Sequence, residues 1–178
     1  TQDKIIVTGI HLDKDELLMA HQLINPGHME NCRCLENFGS NINDLKNLYS
    51  IDNIAFMNQL HTNKTKELIY YKNYTNTDGI FTRNKKIACA VLTADCIPLL
   101  VTDRLGTFIG CIHAGWRGLK SNIIEKFFDN IFFSKCSDLK VLIGPSISRD
   151  MYEVDSDILR FFPGHTSHFK QNKNGKYN

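Results

Sequence analysis

The sequence predicts an α/β (α+β) domain: a mixed β-sheet with flanking helices. Three observations predict it. Short apolar runs rich in branched residues recur at strand length, as in "KIACAVLT" (86–93), "IPLLVTD" (97–103) and "TFIGCIH" (107–113). The stretch "LKSNIIEKFFDNIFF" places apolar residues at 119, 123, 124, 127, 128, 131 and 132. That is the spacing of one helix face. The turn signal "DRLG" (103–106) joins two strands by a link too short for a crossover, so these strands are antiparallel and the sheet is mixed.

The elements follow in order. "KIIVTGI" (4–10) reads as a strand, and "DKDELLMAHQLI" (13–24) as a short helix with acids in its first turn. "NPGHMENCRC" (25–34) reads as a loop and "INDLKNLYSI" (42–51) as a helix. "NIAFMNQLH" (53–61) leads through a strand to His61. "KELIYY" (66–71) is a further strand, and "NYTNTDG" (73–79) is rich in turn formers. Pro98, inside the run at 97–103, marks an edge or a break. "AGWRG" (114–118) reads as a tight loop whose two glycines permit unusual backbone angles. "LKVLIGPSIS" (139–148) is a strand and turn. "EVDSDILRFFPG" (153–164) is a short helix capped by an acid and stopped by Pro163-Gly164.

With 178 residues, the chain is long enough for one domain with a real core. Hydrophobic residues make up 42% and charged residues 22%, as in an ordinary globular protein. A formal charge of +2, with lysines scattered among Asn, Asp and Glu, predicts no nucleic-acid partner. No apolar run reaches membrane-spanning length, and the start carries charge inside its first apolar segment, unlike a secretory leader. The six cysteines, at 32, 34, 89, 96, 111 and 136, form no Cys-x-x-Cys pair. Several lie inside apolar runs, where a free thiol packs as a small hydrophobe, so a reducing cytoplasm is expected. The chain starts at Thr1 and ends in the polar "FKQNKNGKYN". A trimmed chain or a fragment ending inside a domain is expected.

Chemistry enters at the strand ends. Cys96 follows one strand, His113 ends another, and His61 closes a third. One thiolate and two imidazoles can hold zinc and leave a fourth position open for water or substrate. Such an ion lowers the pKa of a bound water to about 7. Asp95 is the expected carboxylate to orient a histidine ligand. Arg117, beside the start of the long helix, could meet an anion. Each residue also has a packing reading: Cys96 as core, His113 as a hydrogen-bonded strand-end residue, Trp116 as a packing residue, Arg117 as a surface ion pair. The separations along the chain match no local zinc motif.

"TADCIPLLVTD" (93–103) followed by "GCIHAGWRG" (110–118) resembles the signature of the YfiH family. That family is also called the multicopper polyphenol oxidase or laccase-domain family. "NQLH" (58–61), "TDGIFT" (77–82), "IGPSISRDMYEVDSDILRFF" (143–162) and, more faintly, "ENFGSN" (36–41) resemble its other motifs in the right order. The resemblance implies an α/β sandwich of mixed sheet and helices, like the deamidase domain of cytotoxic necrotizing factor. It implies that His61, Cys96 and His113 are zinc ligands and form the catalytic centre. Arg117, Gln59 and Asn37 are then expected to bind substrate. It implies purine nucleosides and phosphate as small-molecule partners. The reactions implied are phosphorolysis of adenosine, inosine, guanosine and methylthioadenosine, and deamination of adenosine.

Other readings remain open at this stage. Copper polyphenol oxidation is one, although the seven histidines include no His-x-His pair of the kind four-copper sites use. A metal-free hydrolase with Cys96 as nucleophile and His113 as base is another, and peptidoglycan editing belongs with it. A non-enzymatic binding module is a third. The first 35 residues match the family poorly, and its C-terminal segment has no counterpart here. Residues 1–178 are therefore expected to form a single domain lacking that segment, and an inactive truncated member is a further expectation. Oligomeric state is not read from the sequence.

Overall fold

Ten strands form two five-stranded sheets among the described residues, which are 5–12, 17–24, 53–132 and 138–178 of the computed structural model. The strands are β1 (Ile5–Leu12), β2 (Leu17–Ile24), β3 (Asn53–Met57), β4 (Thr65–Glu67) and β5 (Tyr74–Thr75). They continue with β6 (Gly79–Thr82), β7 (Ile87–Thr93), β8 (Ile97–Asp103), β9 (Ile109–Ala114) and β10 (Leu139–Ile143). One sheet runs β2-β1-β7-β3-β5 and the other β10-β8-β9-β6-β4. Each is mixed: β3 lies parallel to β7 and β5, β4 parallel to β6, and the other pairs are antiparallel. The mixed α/β architecture is as predicted.

The apolar runs lack alternation because the second sheet is buried on both faces. On one face Ile80, Leu100, Ile109 and Cys111 meet Ala55, Met57, Cys89 and Val91 of the first sheet. On the other, Phe81, Leu99, Val101 and Ile112 meet Ile123, Phe127 and Ile131 of a helix. The result is sheet on sheet on helix. That helix, α2 (Ile123–Phe132), is separated by Lys120–Asn122 from a single turn, α1 (Trp116–Leu119). Asn122 has a left-handed φ of 62°, so the apolar stripe read from Leu119 onward is broken at its start. No helix of the described residues is long and apolar enough to cross a membrane.

Several elements differ from the sequence reading. The helix expected over 13–24 is strand β2 from Leu17, paired antiparallel with β1 from Ile5↔Ile24 to Leu12↔Leu17. Cross-strand pairing outweighs the helical propensity of its Leu, Met, Ala and Gln. The strand at "KELIYY" stops at Glu67. Its partner β6 has little left to offer beyond Phe81, and Ile69, Tyr70 and Tyr71 turn outward. Pro98 lies in an interior strand, not at an edge. It is tolerated because the ladder to β10 runs out there: its carbonyl accepts the Gly144 amide, and only the return bond is missing. The segment 153–164 forms a 3-10 helix over Ser156–Phe161, and Asp155 makes no side-chain cap bond. Pro163 opens a further 3-10 helix, Pro163–His168, instead of ending the run. The loop expected at 25–34 and the helix expected at 42–51 lie outside the described residues.

Candidate metal centre

Two long-range pairings deliver the three sequence-predicted ligands to one place. β8 and β9 run antiparallel with Pro98↔His113 and Ile97↔Ala114 in register. This register sets Cys96, one residue before β8, beside the end of β9. His61 arrives from β3. The chain beyond that strand is fastened by Gln59, whose amide nitrogen donates to the Leu92 carbonyl (2.6 Å) and whose amide oxygen accepts the Leu92 N–H (2.9 Å). The donor atoms of His61, Cys96 and His113 all lie within 4.8 Å of one another. Cys96 Sγ is 3.8 Å from His61 Nε2, and the two imidazoles meet edge to face with centroids 4.7 Å apart.

This donor set fits zinc. Bonds of about 2.0–2.1 Å to nitrogen and 2.3 Å to sulfur place tetrahedral ligand atoms roughly 3.3–3.6 Å apart. Small side-chain adjustments bring the observed atoms to that spacing. His61 is exposed, Cys96 is partly buried, and His113 is buried. The centre therefore opens to solvent on one side and is anchored in the core on the other.

Asp78, just before β6, is the buried carboxylate of the centre, with no solvent exposure. Its Oδ1 accepts the His61 N–H (3.0 Å) and lies 2.9 Å from His113 Nδ1. Its Oδ2 accepts the amides of Leu60 (3.3 Å) and Thr62 (2.7 Å) and the Thr62 hydroxyl (2.6 Å). Burial opposes its ionisation, but the bonds from His113, Thr62 and His61 win and hold its pKa at about 2. Burial likewise opposes the His113 imidazolium, and bonds to Asp78 and Cys96 raise it to about 9. His61 is pushed the other way, by burial, by the His113 charge and by Arg117.

The signs of these shifts give a prediction for the metal-free chain. Asp78 is lowered from 3.8, so its contribution is complete above pH 3.8 and is lost as pH falls through about 2. His113 is raised from 6.5, so its contribution is complete below pH 6.5 and is lost as pH rises through about 9. The two shifts share the Asp78–His113 ion pair. The melting temperatures of the chelated chain and of Asp78→Asn should differ most near pH 5–6, with the gap narrowing toward pH 2 and above pH 9. A gap independent of pH would contradict the pairing.

The other expected site residues are placed differently from one another. Asp95 is exposed, and Asp78 takes the histidine-orienting position expected of it. Gln59 spends its amide on the Leu92 backbone and so fastens the His61 segment. Arg117 is exposed on α1 with its guanidinium 4.4 Å from the Trp116 ring centroid. Asn37 lies outside the described residues. The glycines of "AGWRG" serve close approach and not unusual angles. Gly115 has an ordinary φ of −73°, but a Cβ there would lie 2.9 Å from both Cys96 Sγ and His61 Cδ2. At Gly118 a Cβ would lie 3.0 Å from the Thr62 carbonyl. Asp78 was missed although "TDGIFT" contains it, because its turn context offered a sufficient local explanation.

Beside Cys96 lies a cleft of about 360 Å³, lined mostly by apolar atoms. Trp116, Leu119, Ile147, Tyr152 and Phe169 form much of its wall, with Arg149, His168 and Asn178 as polar members. Burial and the Cys96 charge both raise the Tyr152 phenol.

Comparison with known proteins gives consistent neighbours. The family model described as multi-copper polyphenol oxidoreductase laccase matches residues 35–178. A purine nucleoside phosphorylase of Rickettsia prowazekii (strain Madrid E) is 32% identical over 124 residues, covering 69% of this chain and 52% of that protein. The purine nucleoside phosphorylase YfiH of Shigella flexneri is 30% identical over 149 residues, covering 82% and 56%. A crystal structure of a Neisseria meningitidis protein superposes with a TM-score of 0.66 at 29% identity, covering 77% of this chain and 58% of that one. The chain spans about half the length of the curated relatives it matches.

Proposed function

The chain belongs to the multi-copper polyphenol oxidoreductase laccase family, and on that premise we propose that it holds zinc at His61, Cys96 and His113 in a purine nucleoside enzyme. The observation that carries this is the convergence of two imidazoles and one thiol within 4.8 Å, with Cys96 also lining the aromatic cleft. Soft thiolate with imidazole suits zinc, and four-copper chemistry calls for more histidines than this cluster holds. When bound, zinc supplies a Lewis acid beside the cleft.

The chain's own residues divide the remaining work. Trp116, Tyr152 and Phe169 give the cleft flat apolar walls, against which a purine ring can lie. Arg149, His168 and Asn178 supply polar groups for a ribose or base edge. Arg117, exposed over Trp116 and close enough to lower the His61 pKa, is the cation we assign to phosphate. In phosphorolysis a phosphate oxygen replaces the base at C1′, the glycosidic bond breaks, and the base leaves with its bonding pair and takes up a proton. The names of the relatives favour phosphorolysis; deamination of adenosine is the second activity proposed for the same cleft.

The test is product analysis. Zinc-loaded chain is incubated with adenosine or inosine, with and without phosphate. Free base and ribose 1-phosphate, formed only with phosphate and lost on chelation, is the expected result; inosine formed from adenosine without phosphate would mark deamination. Turnover that survives chelation but not alkylation of Cys96 would replace this reading with a cysteine hydrolase. Copper uptake with phenol oxidation would replace it with an oxidase. Bound zinc with no change in either nucleoside would reject the nucleoside reaction.

A further inference from the structure

We infer that Asp78 is the positioning residue of the centre, a single carboxylate that sets His61 through its backbone and His113 through its ring. The inference rests on the zinc reading above for its functional meaning. Its structural basis is independent of that reading.

His61 has φ 58°, a left-handed conformation uncommon for a residue with a side chain. Three consecutive amides, those of Leu60, His61 and Thr62, converge on the Asp78 carboxylate. Successive N–H groups that point inward form an anion-binding concavity. The left-handed turn aims these amides at Asp78, so the carboxylate holds the turn that presents the His61 ring.

His113 is held from both ends. Its amide donates to the Asp78 carbonyl (2.7 Å), and its ring faces the Asp78 carboxylate. An ionised carboxylate only accepts, so the proton must sit on Nδ1. The Nε2 lone pair is then left for a metal, which is how ligating histidines are commonly fixed. Two ligands from distant strands thus depend on one side chain.

Asparagine cannot substitute. Both carboxylate oxygens face donors, and an amide offers only one acceptor. With its NH₂ toward His113, the ring must swap tautomers, which moves its proton onto Nε2 and blocks the ligand position. With its NH₂ toward Leu60 and Thr62, the amide meets N–H groups and the His61 turn is released. Either orientation costs one imidazole.

The test compares wild type, Asp78→Asn and Asp103→Asn. Asp103 is also a buried carboxylate, accepting from the amide and hydroxyl of Thr107 in the β8–β9 turn. It controls for the loss of any buried charge. Two readouts are used: hydrogen exchange of the His61 amide and the His113 Nδ1 proton in the zinc-free chain, and zinc affinity by chelator competition. We expect both protons to be protected in wild type and in Asp103→Asn. In Asp78→Asn we expect at least one of the two to lose protection and zinc affinity to fall about 10–100-fold. Unchanged zinc affinity in Asp78→Asn would overturn the inference, as would an unprotected Nδ1 proton in wild type. Should wild type bind no zinc, the zinc reading fails, and the exchange data still decide whether Asp78 holds both histidines. Should Asp78→Asn not fold, ¹⁵N spectra of zinc-loaded wild type decide: metal on Nε2 supports the inference, and metal on Nδ1 overturns it.

Discussion

Cys96→Ala should abolish zinc loading. Wild-type chain, purified without a histidine tag, is expected to carry about one zinc, as a three-ligand site requires. The variant keeps only His61 and His113, and the thiolate they lose is the ligand that selects zinc. The effect should be visible in stability as well as metal content. A ligand that binds only the folded state stabilises it by about 2.7 kcal/mol at a hundredfold excess over Kd. For a chain of this size that is roughly 5–10 °C in melting temperature. Wild type should gain that increment on adding zinc, and Cys96→Ala should gain almost none. Without metal the variant should melt only slightly below wild type, because Cys96 is partly exposed just before β8, so its loss leaves no core cavity and removes only its bond to His113. A variant that loads and melts like wild type would reject the centre outright.

Gly115→Ala should be nearly as damaging to metal binding, by a different route. Its backbone sits at φ −73° and ψ 158°, which alanine adopts freely. The added methyl would instead lie 2.9 Å from Cys96 Sγ and 2.9 Å from His61 Cδ2. In the zinc-free chain His61 is exposed and Cys96 partly so, and both can swing aside. The stability cost should then stay near the lower end of the 1–3 kcal/mol typical of overpacking, about 1 kcal/mol. In the loaded chain neither ligand can move without leaving the metal. Chelator competition should therefore show zinc affinity at least about tenfold weaker, the loss usual when ligand orientation is disturbed. A large loss of zinc-free stability with normal metal affinity would mean that the glycine serves packing and not the centre.

The centre was only partly legible in the sequence. His61, Cys96 and His113 could be named because they interrupt or end apolar runs, where a strand interior has no use for them. Their convergence could not be derived from spacing. It depends on the β8–β9 register and on the Gln59 clasp to Leu92, both long-range pairings. Asp95 is the carboxylate that adjacency to Cys96 suggests, but proximity along the chain is a poor guide at a strand end. Asp78 sits 35 residues from His113 in sequence and 2.9 Å from it in space. The sequence explains the glycines of "AGWRG" by the unusual backbone angles they permit, whereas Gly115 is needed for what lies against it.

By itself the sequence determined the class of the fold, the strands at 87–93, 97–103 and 109–114, the apolar face of α2, and the kinds of donor atom available to a metal. Local pattern suffices for these, because strand-length runs and helical stripes follow from burial of adjacent residues. Only the tertiary structure decided that 17–24 pairs as a strand, that Pro98 can sit inside a sheet, and that one buried carboxylate holds two histidines. Each of these depends on a partner distant in sequence. A hydrogen bond to such a partner leaves no periodic trace in the chain that makes it.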